Sequence, residues 1–204
     1  MCYWYAQWLA KKQLEMAFQA ILELDEDILN PGIYNGFNHP AVPIIKDDSS
    51  DKIQLAKWGL VPSFVKGDSN DFFKKTNTLN AKIETIKEKN SFRQSADKRC
   101  LVLATEFFEW KHIGKGKYKH RIWTKDEKPF AFAGIYQDDT FSILTTEANE
   151  LMADIHNSKK RMPVILRKDE EKLWLSGEPL EVYHNRKEIE LVAEPLDDMP
   201  MELF

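Results

Sequence analysis

Cys2 follows Met1 directly, and a small second residue is what removal of an initiator methionine requires. The sequence therefore predicts a mature chain that begins with cysteine. Such a terminus carries two neighbouring nucleophiles, an α-amine titrating at about 7.7–8 and a thiol at about 8.5. The amine can condense with an aldehyde to a Schiff base. The thiol can then add to the imine carbon and close a five-membered thiazolidine ring. The competing reading of Cys2 is a small buried hydrophobe, since free cysteine is among the most buried residue types. Cys100, inside the apolar run Arg99-Cys100-Leu101-Val102-Leu103, reads as such a core residue and is set aside as a nucleophile.

Imine chemistry needs proton carriers, and the candidates are Glu84, Glu109 and His156. Glu109 stands between Phe107-Phe108 and Trp110 on a β-rich run. If its face is the buried one, desolvation raises its pKa and suits it to shuttling a proton. If strand alternation turns it outward, it is an ordinary solvated carboxylate. His156 titrates near neutrality, and it equally fits a surface position or a hydrogen-bonded core histidine. Asn80 suits a turn or a cap. The stretch Trp58-Gly59-Leu60-Val61-Pro62-Ser63-Phe64 puts aromatic rings beside a Gly and a Pro that force a loop. Exposed rings of this kind stack nucleobases, whereas a buried Trp58 would pack in the core.

The elements that must hold these residues can be read from periodicity. Leu14, Ala17, Phe18, Ile21 and Leu24 recur at three- and four-residue spacing, which predicts an amphipathic helix over residues 9–24. Strands are expected at 41–45, 53–58, 99–104, 107–112, 118–123, 130–136, 141–145 and 162–166, with Gly114-Lys115-Gly116 as a hairpin tip. Residues 147–155 and 169–176 have helical composition. No repeat or low-complexity tract interrupts the chain, so an α+β domain spanning residues 1–204 is the expectation.

The chain has 204 residues, 43% hydrophobic and 30% charged, which is a globular rather than a disordered composition. Its formal net charge of −4 excludes a uniformly basic coat protein. Charge is nevertheless segregated. Residues 74–99 hold eight bases against three acids, residues 111–128 seven against two, and residues 169–204 three against eleven. This asymmetry suits a basic cleft for a polyanion, and it also suits ordinary solvated faces. Two Cys and five His without ligand spacing support neither a disulfide framework nor a metal site. The absence of a signal-like or membrane-length apolar run makes the cytoplasm the expected location, beside the nucleoid in a bacterial cell.

Several ordered motifs converge on one family. They are Met1-Cys2, Lys57-Trp58-Gly59-Leu60-Val61-Pro62, Asn80-Ala81-Lys82-Ile83-Glu84-Thr85, Arg99 to Leu103 through Phe108-Glu109-Trp110, Phe132-Ala133-Gly134-Ile135-Tyr136, and His156 leading into Arg161-Met162-Pro163-Val164. In this order they resemble the SRAP family, the SOS-response-associated peptidase-like proteins that attach covalently to abasic sites in single-stranded DNA.

The resemblance implies a mainly antiparallel sheet curled into a barrel-like core with flanking helices. It implies that Cys2 captures the ring-opened sugar as a thiazolidine. Asn80 would orient Cys2 or the opened sugar, Glu109 would move protons during imine formation, and His156 would assist ring opening. DNA would be held by stacking near Trp58, Pro62 and Phe64 and by phosphate pairing with Lys82, Arg93 and Arg161. No cofactor, metal or membrane is implied, and a monomer is expected. Tyr3 and Trp4 stand where the family carries Gly-Arg, Lys82 where it carries Arg, and Glu106 near its usual Gly. Two other activities fit the same residues. One is a thiol peptidase using Cys2 with His156 and Glu109 as a relay, and the other is a noncovalent binder of single-stranded nucleic acid.

Overall fold

The structure, a computed structural model, describes residues 2–23 and 28–196. The chain opens with β1 (Trp4–Gln7), α1 (Lys11–Phe18), β2 (Ile21–Leu22), β3 (Gly32–Asn35), β4 (Ala41–Lys46) and β5 (Lys52–Trp58). It continues through α2 (Ser69–Phe73) and β6 (Asn80–Lys82) into β7 (Arg99–Ala104), β8 (Glu106–Ile113), β9 (Gly116–Thr124), β10 (Phe130–Gln137) and β11 (Thr140–Glu147). The last elements are α3 (Glu150–Ile155), β12 (Arg161–Pro163), β13 (Ile165–Leu166), α4 (Glu171–Leu175) and β14 (Leu191–Pro195).

These strands form two sheets. The smaller runs β14-β9-β8-β1-β3, and the larger runs β12-β11-β10-β7-β4-β5-β2. In the larger sheet β11 also pairs with β5, with Phe141 opposite Trp58, so β5, β4, β7, β10 and β11 close a ring. The other four contacts of the ring are antiparallel. Four reversals restore the starting direction, so the closing contact has to be parallel, as it is. The α+β class and the curled sheet are those expected from the sequence.

Both faces of the ring are covered, which is why β7 and β10 are apolar without alternation. On β7, Cys100, Val102 and Ala104 pack with Trp58, Phe132 and Phe141 and with Tyr5, Phe107 and Ile122 of the smaller sheet. Leu101 and Leu103 point the other way, to Leu14 and Phe18 of α1 and to Trp174 and Tyr183. Tyr5 meets Trp58 at 5.2 Å and Phe132 at 5.6 Å edge-on, contacts worth about 0.5–1.5 kcal/mol each beyond their burial.

Three helices and one strand are drawn differently from expectation. The helix expected over 9–24 ends at Phe18, because Gln19 turns left-handed at φ 52°, and Ile21 pairs with Lys52 as part of β2. Leu24 lies outside the described residues. The helix expected over 147–155 begins only at Glu150, where the Asn149 side chain accepts from the Met152 N–H. The helix expected over 169–176 occupies 171–175, and the strand expected over 162–166 is divided between β12 and β13.

Candidate active site

The site is built where the start of the chain enters the smaller sheet. β1 lies between β3 and β8, with Trp4 opposite Phe108 and Tyr5 opposite Phe107. One further step of this antiparallel ladder sets Tyr3 opposite Glu109. Cys2, just beyond, is fully buried, and its thiol donates to the Trp4 carbonyl at 3.5 Å. The Cys2 carbonyl accepts from Asn80 Nδ2 at 2.8 Å. Asn80 is delivered by β6, which runs parallel to β11 with Asn80 opposite Ile143. Its Oδ1 is buried without a hydrogen-bond partner among the described residues, an arrangement that leaves one acceptor for a ligand.

Glu109 faces inward and is 4% exposed. Desolvation pushes its carboxyl up to about 7, against the pull of the positive amino terminus. It therefore exchanges a proton near neutral pH. Burial pushes the Cys2 thiol well above the ordinary thiol range, and the negative charge of Glu109 pushes it further. The thiol accordingly stays protonated at pH 7.

His156 caps the C-terminal end of α3, which packs on β8. Its Nδ1 lies 2.8 Å from the Arg161 carbonyl. The Arg161 N–H lies farther from the same nitrogen, at 3.3 Å, and the shorter contact, to a carbonyl that only accepts, favours the proton on Nδ1 and the lone pair on Nε2. Desolvation, followed by the positive charge of the amino terminus, lowers this imidazole to about 4. It is a neutral base at pH 7.

Glu84 stands apart from this group. Arg161 clamps it with two hydrogen bonds of 2.9 and 2.8 Å, and the same guanidinium donates to the Thr145 carbonyl at 2.6 Å. Burial raises the Glu84 carboxyl, but the Arg161 hydrogen bonds outweigh it and hold the group below its ordinary value. Glu84 is thus an ion-pair partner, and Arg161 is held by Glu84 and Thr145, with its Nε buried and without a hydrogen-bond partner among the described residues.

Two corrections concern the loop after β5. Trp58 is fully buried, donates from Nε1 to the Leu79 carbonyl at 2.8 Å, and lies parallel to Phe141 at 6.3 Å. Pro62 is buried as well. Neither presents a face to a nucleobase, because the ring closure at Phe141 covers this stretch. Phe64 is 54% exposed, and Lys82 and Arg93 are exposed, so these three remain on the surface.

Sequence reasoning missed Phe37. It is 56% exposed and packs against Tyr3 with ring centres 4.8 Å apart and planes tilted by 31°, while the neighbouring Gly36 N–H donates to the Tyr3 carbonyl at 2.9 Å. The available signal was Asn35, whose side chain accepts from the Phe37 N–H and fixes the turn. Among the described residues no group of three or more His, Cys, Asp or Glu could hold a metal ion, and no helix is long and apolar enough to cross a membrane.

A family model described as SOS response associated peptidase (SRAP) matches residues 1–203. The abasic site processing protein YoqW of Bacillus subtilis is 36% identical over 172 residues, covering 79% of this chain and 72% of its own. YoaM of the same organism, also named an abasic site processing protein, is 41% identical over 144 residues, 65% of this chain and 60% of its own. For HMCES of Gallus gallus, with the same description, the values are 32% over 156 residues, 60% and 45%. The matched region is thus about three fifths of YoaM and under half of HMCES. A crystal structure of a Bacteroides thetaiotaomicron protein superposes with a TM-score of 0.85 at 33% identity, covering 97% of this chain and 93% of the other. A Bordetella bronchiseptica protein shares the fold at a TM-score of 0.78 and 21% identity, covering 96% and 100%. By sequence and by fold, this chain belongs to the SRAP family.

Proposed function

We propose that this protein processes abasic sites in single-stranded DNA by capturing the ring-opened aldehyde covalently at Cys2. Loss of Met1 leaves the α-amine of Cys2 as the terminus. The amine nitrogen adds to the C1′ aldehyde of the opened sugar, and the carbinolamine loses water to give the imine. The Cys2 sulfur then adds to the imine carbon while its proton passes to the nitrogen, closing the thiazolidine with the net release of one water. The order follows from the buried thiol, which stays protonated until an electrophile arrives and so leaves the first addition to the amine. Glu109, at about 7, gives a proton to the departing hydroxyl and recovers the one that the nitrogen gives up as the imine forms. Neutral His156 takes the proton of the sugar hydroxyl as its ring opens. Asn80 fixes the Cys2 carbonyl so that the terminus cannot swing away.

The observation that carries this reading is the pairing of a carboxyl at about 7 with a terminus held by Asn80 at 2.8 Å. The raised thiol speaks against a thiol peptidase, which needs the thiolate. The names of the similar proteins support abasic-site processing. The test is a denaturing intact-mass spectrum after mixing with single-stranded DNA that contains one abasic site. The wild type should gain one oligonucleotide less one water, only on chains lacking Met1, and lesion-free DNA should add nothing. Cys2→Ala should gain nothing. Full product from Cys2→Ala, or none from wild type lacking Met1, would overturn the proposal.

A further inference from the structure

Four of the six tryptophans lie on one side of the smaller sheet, and it is the side opposite the site. Strand alternation places them there. On β8, Phe107 and Glu109 face the core and the site, so Glu106, Phe108 and Trp110 face outward. Their partners on β1 and β9 share that side: Trp4 lies opposite Phe108, Arg121 opposite Phe108, and Lys119 opposite Trp110. Trp123 follows two residues after Arg121, and Trp8 reaches the same side, donating from Nε1 to Glu106 at 2.8 Å. Trp58 and Trp174, the other two, are core residues.

The rings on this face are interleaved with cations. Lys119 Nζ lies 4.3 Å from the Phe108 ring centre, 5.4 Å from Trp4 and 5.7 Å from Trp110, and the Arg121 guanidinium lies 4.9 Å from Trp123. Of the carboxylates nearby, Glu106 and Glu194 are held by Arg121, and Glu127 lines the cavity beside Trp8 and Trp123. Lys117 and Lys119 have no carboxylate within ion-pair distance among the described residues, although Lys119 feels the charge of Glu106. Trp8 is 50% exposed, and an open cavity of about 280 Å³ lies between it, Trp123 and Arg121. Trp8, half exposed, and Trp123, partly exposed, stand beside lysines that make no ion pair among the described residues, and this matches a single strand, whose bases offer flat faces and whose phosphates offer negative charge. An apolar protein partner would leave the lysines unpaired, and an acidic peptide would leave the rings uncovered.

We propose that this outer face is a second, noncovalent track for single-stranded DNA: unpaired bases stack on Trp8 and Trp123, and phosphates lie on Lys117 and Lys119. The track rests on the single-stranded DNA reading above and extends it to nucleotides flanking the lesion. Those nucleotides reach it over the β8–β9 hairpin tip, past Lys115.

The test is fluorescence anisotropy with lesion-free single strands of about 6 and about 20 nucleotides, using wild type, W8A/W123A and W8F/W123F. With stacking worth about 1–3 kcal/mol per base, W8A/W123A should bind the longer strand at least about tenfold more weakly. W8F/W123F, which keeps flat rings, should stay within about threefold of wild type. Equal affinity of W8A/W123A and wild type for the longer strand would overturn the track, as would a W8F/W123F loss as large as that of W8A/W123A. Covalent capture of a short abasic strand, read by intact mass in the same variants, separates the two ideas. Capture by wild type without any affinity loss in W8A/W123A rejects the track alone. An affinity loss without capture rejects the covalent reading alone.

Discussion

Replacing Glu109 by Gln should make the protein more stable, and increasingly so as the pH rises. The carboxyl titrates at about 7 in the folded chain, against an ordinary value of 4.5, because burial disfavours its charge. Folding therefore favours the protonated form. Below pH 4.5 the group is neutral in both states and costs nothing; as pH rises from 4.5 to about 7 the unfolded chain releases the proton first, and stability falls. At about 1.4 kcal/mol for each pH unit, the penalty above pH 7 comes to about 3 kcal/mol. Gln keeps the shape and removes the titration, so the variant escapes the penalty. For a chain of this length the gain amounts to a rise in Tm of roughly 6–12 °C at alkaline pH, shrinking toward zero at acid pH. The assay is urea unfolding of wild type and Glu109→Gln, followed by tryptophan fluorescence from acid to alkaline pH. His156 titrates alike in both chains and cancels in the difference. A stability difference that does not change with pH would refute the burial argument, and the proton-shuttle role of Glu109 would fall with it.

Lys82→Gln and Arg161→Gln should separate sharply although both remove one positive charge. The former should reduce the salt dependence of single-stranded DNA binding by about 0.7 in log–log slope. The latter should leave that slope unchanged and lower unfolding stability by about 1–2 kcal/mol through the loss of the Glu84 clamp, solvent screening included. Trp58→Phe should cost about 1–3 kcal/mol in urea unfolding, because the buried Leu79 carbonyl loses its donor, with no change in DNA affinity. His156→Gln should flatten the acid limb of the stability profile: the imidazole is lowered from 6.5 to about 4, so wild type loses stability as pH falls through that interval and the variant does not.

Much of this architecture was legible in the residues. The strands from β7 to β11 are long, apolar or alternating, and bounded by turn residues, and the local pattern was enough to find them. The helix over 9–24 was overextended because Ile21 keeps helical phase with Phe18, while the left-handed Gln19 and the pairing of β2 with Lys52 depend on distant chain. Cys2, Asn80, Glu109 and His156 were named from sequence, but only the fold sets Asn80 against the Cys2 carbonyl across 78 positions. The surroundings of Trp58 and Arg161 went unread for a common reason. A ring or a guanidinium advertises its chemistry in the sequence, whereas its occupancy by Phe141 or Glu84 is a property of contacts the sequence does not display.

The position of β1 inside its sheet has a consequence for biosynthesis. Its two neighbours are β3 and β8, and β8 begins at Glu106. A chain emerging from the ribosome carries its first strand for roughly 100 residues before that partner exists, a delay of about 5–20 s at ordinary elongation rates. Only then are Cys2 and its neighbours enclosed. If Met1 is removed as proposed above, the trimming of the nascent end falls in a time window that folding itself closes.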